Sequence, residues 1–192
     1  MKTVGAINIE KQLKGCVVLD EKTAGKLGQV SDALIHPSRG TVLGLLICND
    51  AGIEKILSAE SFVIHDEAKA LIALDPPRVD GTEVERILNE GVRAIEKLLT
   101  AEIVTQDGRL LGQINDIYLQ NVTLDSLPVI YYITASFWQR LTGGGSYLVG
   151  SVPSHYSYTG SRLIVPADAN QRDARRSLKD SLNSRRREIK TA

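Results

Sequence analysis

Two carboxylates, Asp32 and Asp116, most invite a chemical reading, because each closes the same six-residue phrase. Leu27-Gly28-Gln29-Val30-Ser31-Asp32 returns as Leu111-Gly112-Gln113-Ile114-Asn115-Asp116, with four of six positions identical and a Val/Ile exchange at a fifth. A recurring acid suggests catalysis, since carboxylates serve as general acids and bases. The strand-like context points elsewhere. By alternation each aspartate shares a face with Val30 or Ile114, so its carboxylate points inward or sits at a bulge, where backbone N–H groups are expected to hold it. Gly28 and Gly112 are expected to permit close backbone approach, as no Gly-rich phosphate or dinucleotide fingerprint follows either strand. His36, His65 and His155 have no second ligand at metal spacing, and Ser154-His155 with Asp168 is too generic for a triad. Cys16 and Cys48 match no CxxC pattern and are expected to be small buried hydrophobes in a reducing compartment. The reading names no catalytic residue, no metal and no cofactor, and expects the protein not to be an enzyme.

Two stretches could bind a partner instead. Phe137, Trp138 and Arg140 precede Gly143-Gly144-Gly145. Large apolar residues beside a glycine run suggest a docking loop, since Trp, Tyr and Arg dominate interface hot spots. Tyr131 and Tyr132, being adjacent, point to opposite faces of a strand. At the C-terminus Arg172, Arg175, Arg176, Lys179, Arg185, Arg186, Arg187 and Lys190 make a basic tail with a thin apolar stripe, Ala174, Leu178, Leu182 and Ile189. Such a tail is either a solvated helical or disordered end or a contact for RNA or an anionic membrane surface. Lacking aromatics for base stacking, it should bind nucleic acid in a salt-sensitive, weakly selective way.

The phrase that carries the aspartates belongs to a longer repeat. Residues 9–13, IEKQL, return as 95–99, IEKLL, at an offset of 86, whereas the aspartate phrase returns at 84. Two residues are therefore expected to be missing from the second copy, at the turn where 21–25 faces 106–108. Matched blocks with an indel confined to a turn indicate duplication. In the first copy short strands are expected at 16–19, 26–35, 41–48, 61–66 and 70–74, after a lead-in where Ile9 and Leu13 make a short helical face. In the second they are expected at 102–105, 109–119, 128–134, 147–150 and 163–165, with Asp107-Gly108 as a two-residue type I′ hairpin turn. Between them, Thr82 and Glu85 have capping-box spacing. Val84, Ile87, Leu88, Val92, Ile95, Leu98 and Leu99 form one apolar stripe, predicting a helix over about 82–99. The expected organisation is a first domain at 1–80, a linking helix at 81–99, a second domain at 100–168 and the tail at 169–192. Short strands punctuated by turns suggest small barrels or sandwiches.

Composition fits this plan. A chain of 192 residues accommodates two small domains. Its zero net charge hides an asymmetry: residues 169–192 carry eight Lys/Arg against three Asp/Glu, leaving 15 against 20 in the rest. The chain is an acidic body with a basic end. Charges interrupt the first twenty residues, so no signal peptide is expected. No apolar run approaches the roughly 20 residues needed to span a bilayer. A soluble, cytoplasmic protein is expected.

At the two phrases the sequence resembles the PRC-barrel family, whose pattern is a short strand, a turn, then G-x-x-[LI]-G-x-[VI]-x-D on a long strand. Residues 25–32 and 108–116 follow it, the second stretch one residue longer than the first, and the resemblance covers roughly 10–75 and 96–166. The family is named for the cytoplasmic domain of the photosynthetic reaction-centre H subunit. It also occurs as the C-terminal domain of the bacterial 16S rRNA processing factor. The resemblance implies a mostly β protein: two small PRC-type β-barrels joined by an amphipathic helix, with a basic C-terminal tail. It further implies an adaptor or assembly module that docks on a larger protein complex and has no active site of its own. Two other functions stay open: an RNA- or ribosome-associated processing factor anchored by the tail, and a peripheral subunit of a photosynthetic or other membrane complex.

Overall fold

The computed structural model describes residues 7–65, 70–119, 129–134, 146–149, 156–167 and 172–173. The chain begins with β1 (Ile7–Asn8) and a π-type helical turn (Ile9–Leu13). Then come β2 (Val17–Asp20), β3 (Lys26–His36), β4 (Thr41–Cys48), β5 (Glu54–Ser58), a 3-10 turn (Ala59–Ser61), β6 (Phe62–His65) and β7 (Ala70–Ala73). The helix α1 (Thr82–Glu90) leads to β8 (Val92–Arg93), a second π-type turn (Ala94–Leu98), β9 (Glu102–Thr105) and β10 (Leu110–Leu119). β11 (Val129–Thr134), β12 (Ser146–Val149), β13 (Ser157–Tyr158), β14 (Arg162–Val165) and β15 (Arg172–Asp173) follow.

The fold is mostly β, in two sheets. The first runs β5-β4-β3-β2-β7-β6 with β8 on β3; the second runs β13-β14-β9-β10-β11-β12-β15 with β1 on β10. Each strand order is an open path. The halves repeat each other down to a parallel pair among antiparallel ones, β2 with β7 and β9 with β14. The sequence-derived strands fall within one or two residues of these elements. β5 was not among those expected, because EKILS lacks clean alternation. Tertiary partners make it a strand: the Asn49 carboxamide accepts from the Ala51 and Ile53 amides at the hairpin, and β4 pairs along its whole length.

The halves exchange their lead-ins. β2 pairs with only the first part of β3 and β9 with only the first part of β10, so each long strand leaves an edge open farther along. On β3 that edge is taken by β8, with Val92 opposite Ile35 and Arg93 opposite Leu34. On β10 it is taken by β1, with Ile7 opposite Leu119 and Asn8 opposite Tyr118. The segment that introduces each half therefore completes the sheet of the other. One continuous apolar cluster results, holding Ile9, Leu13, Val30 and Ile35 with Ala94, Leu98, Ile103, Ile114 and Ile117.

Three local expectations are corrected. The helix expected over 82–99 stops at Glu90. Gly91 donates to the Ile87 carbonyl (2.8 Å) in an extended conformation, and a Cβ there would lie 2.5 Å from that oxygen and 3.2 Å from the Leu34 Cβ. The open edge of β3 then takes residues 92–93. Only Val84 and Ile87 of the helix are buried, and Leu88 is exposed. The helix also lacks the expected capping box, because Gly81, not Thr82, is the N-cap and no side chain caps it. The turn at Asp107-Gly108 is not type I′, since Gly108 (φ +86°) has positive φ and Asp107 does not. Thr105 N–H bonds the Arg109 carbonyl and Gly108 N–H the Thr105 carbonyl, a three-residue loop ending in a left-handed glycine. Finally, the repeat offset of 86 is one residue too long at the lead-ins: Asn8 and Arg93 occupy equivalent register positions, as do Ile9 and Ala94. Backbone register overrules the IEK match, and a single residue is lost at the turn.

Candidate functional site

Asp32 and Asp116 sit where the exchanged segments cross the long strands. Each lies just after a β-bulge, between Val30 and Asp32 in one half and between Ile114 and Asp116 in the other. The bulge adds one residue, Ser31 or Asn115, and turns the carboxylate toward the neighbouring lead-in. Both aspartates are buried, as expected.

Their donors differ. Asp32 Oδ1 accepts from the Ala33 amide (2.7 Å) and the Ile95 amide (2.9 Å), and Oδ2 from the Glu96 amide (3.2 Å). It thus caps, from 63 residues away, a helical turn whose own N-cap residue Arg93 makes no side-chain cap. The backbone N–H groups expected around this carboxylate are there. Asp116 is held by side chains instead: Oδ1 accepts from Asn8 Nδ2 (2.9 Å) and from Lys11 Nζ (2.7 Å). The first π turn already has a cap, since Asn8 Oδ1 accepts from the Lys11 amide (2.8 Å). Asn8 therefore stands between the carboxylate and the helical turn. The hydrogen bond to Asp116 raises the Lys11 ammonium above its ordinary pKa, against the opposing effect of desolvation. Around the Asp32 crossing a surface network adds Arg93 to Glu54 (2.6 Å), whose other oxygen accepts from Ser31 Oγ (3.1 Å). The Arg93 guanidinium is likewise raised, chiefly by that bond to Glu54.

Gly28 behaves as expected. At φ +152° it lies so close to β4 that a Cβ would meet the Cys48 carbonyl oxygen at 2.5 Å; Gly112 has the same unusual backbone (φ +143°). The cysteines are half-buried, not fully buried as expected. Cys16 donates to the Gln12 carbonyl (2.9 Å), which keeps it near the surface. His36 closes β3 half-buried, its Nδ1 accepting from the Arg39 amide (3.3 Å), and burial lowers its pKa.

A cleft of about 250 Å³ was not foreseen; it is lined by Ile56, Ser58, Ser61, Asp75, Arg78 and Glu83, among others. Ser58 Oγ donates to Glu83 (2.7 Å) and Ser61 Oγ to Asp75 (3.4 Å). These hydroxyls face carboxylates without an imidazole, so the arrangement supplies no activated nucleophile of the Ser–His kind. Among the described residues no group of three His, Cys, Asp or Glu side chains is placed to hold a metal, and no helix is long and apolar enough to cross a membrane.

The expected docking residues Phe137, Trp138 and Arg140 lie outside the described residues, as do Arg175, Arg176, Arg185, Arg186, Arg187, His155 and Asp168. Arg172 is placed by its backbone in β15. Compared with known protein families and with curated proteins, the chain matches none of them.

Proposed function

We propose that this chain is a non-catalytic adaptor of the PRC-barrel type, which holds a larger protein complex through its second half. One observation carries the reading: both copies of the recurring carboxylate, the most enzyme-like feature of the sequence, are spent on internal donors. Asp32 has three backbone amides and Asp116 has Asn8 and Lys11. A buried carboxylate already engaged by such donors is turned into the fold and not toward a substrate. The signature acts as a clasp between halves, and partner contact falls to the loop of the second half, at Phe137, Trp138 and Arg140.

The test is affinity purification of tagged wild type, Trp138→Ala and Asp32→Asn from cells, with cross-linking to define the bound partner. The reading expects Trp138→Ala to lose a cross-linked protein that folded Asp32→Asn retains. Retention of every partner by folded Trp138→Ala overturns the loop assignment. The separation of charge between body and tail supports the second reading, an RNA-associated factor. In that case the recovered partners are ribosomal or RNA-bound, and recovery falls steeply with salt.

A further inference from the structure

The exchange of lead-ins carries the chain between its halves through two short connectors, at 14–16 and 99–101. They are built alike. Each begins where a π-type turn closes, the Lys14 amide donating to the Ile9 carbonyl (2.8 Å) and the Leu99 amide to the Ala94 carbonyl (3.0 Å). The next residue enters left-handed backbone, Gly15 at φ +81° and Thr100 at φ +75°. Its amide donates to the long strand, at Val30 or Ile114 (2.8 Å in both). Glycine adopts that conformation freely. A threonine does not, because its Cβ crowds the following carbonyl. The strain of the crossing therefore sits at Thr100.

The contacts that span Thr100 are extensive. Residues before it supply β1, which pairs with β10. They supply the first π-type turn, whose Ile9 and Leu13 lie in one apolar cluster with Ile103, Ile114, Ile117 and Leu119. Asn8 and Lys11 donate across it to Asp116, and the Tyr158 hydroxyl donates back to the Lys97 carbonyl (3.1 Å). Of the two clasps only that of Asp116 crosses this point; Asp32 draws its donors, Ala33, Ile95 and Glu96, from its own side. None of these contacts requires that the two partners belong to one chain. A short, strained connector between segments that hold each other so fully is where identical chains exchange segments.

We propose that this chain forms a closed dimer by exchange about Thr100. The half that begins at Ala101 docks on the lead-in of a second copy, and that copy's second half docks in return. Each Asp116 clasp is then closed between two molecules. Straightening Thr100 releases its left-handed backbone, which favours the exchanged form, and two-fold closure leaves no half unpaired.

Sedimentation of the full-length protein, refolded over a range of concentrations, tests this. A dimer is expected beside the monomer at the highest concentrations. Thr100→Gly removes the strain from the closed monomer and is expected to lower the dimer fraction at least about fivefold. A second readout separates exchange from side-by-side association. Lys11→Asp and Asp116→Lys each set like charges together within their own monomers. Refolded together, they are expected to give a mixed dimer well above its statistical share, because exchange restores one wild-type clasp and makes one with its charges reversed. Wild type that stays monomeric at every concentration overturns the proposal. So does a dimer indifferent to Thr100→Gly, and so does statistical mixing of the two folded charge variants. If Asp116→Lys does not fold, the Thr100→Gly comparison decides alone.

Discussion

The two halves solve one problem in two ways. Each must fasten a π-type turn that arrives from the other half onto its long strand, and each uses an aspartate at the same register position after the same bulge. The first half's aspartate binds backbone amides of the turn directly. The second half's aspartate binds an asparagine that caps the turn, together with a lysine. The difference follows from one position: where the first lead-in has Asn8, the second has Arg93, which cannot accept a hydrogen bond. A cap left unfilled by local sequence is thus filled by a residue 63 positions distant. A duplicated motif can keep its residue and its place while the bonds it makes are redistributed.

The largest effect expected on this clasp comes from Gly28→Ala, which sets a Cβ against the Cys48 carbonyl at 2.5 Å and should cost about 3 kcal/mol or prevent folding. Chemical denaturation with an unchanged midpoint would remove the close-approach argument. Next is the pair Asp32→Ala and Asp116→Ala. Removing Asp32 strands buried amides and should cost about 2 kcal/mol, whereas the loss of Asp116 strands one buried donor, Asn8 Nδ2, and should cost only about 1, because Lys11 can return to water. Equal losses would show that the two clasps are energetically alike despite their different donors.

Thr100→Gly should act in the opposite direction. Thr100 (φ +75°) occupies the place that Gly15 (φ +81°) takes in the first half. Both donate their amides to the long strand, to Ile114 and Val30. Relieving a threonine from left-handed backbone should gain about 1 kcal/mol, and a lowered melting temperature would contradict the equivalence of the halves.

The smallest effect is a dependence on pH. The folded-state pKa of Lys11 is raised above its ordinary 10.5, so its contribution is complete below that value and is lost as pH rises through the folded value. The Asp32 clasp rests on amides that do not titrate there. Alkaline melting curves of wild type and Asp116→Asn should therefore converge above about pH 10.5, while those of Asp32→Asn should run parallel to wild type.

The amino-acid sequence by itself determined the duplication, most of the strands and the structural role of the recurrent aspartates. Those signals are local: a repeated phrase, β-branched runs, glycine-marked turns and a carboxylate on an apolar strand. It also marked the lead-in turn, through Ile9 and Leu13. It could not show where the helix after Thr82 ends, because the apolar stripe continues through Leu98 and only the open edge of β3 draws Val92 and Arg93 away. Nor could it show that β5 is a strand, since that depends on β4 and Arg78 lying alongside. The exchange of lead-ins belongs wholly to the tertiary structure. IEK matches IEK best one residue out of step, and hydrogen bonds to a strand in the other half decide the register that residue similarity misplaces.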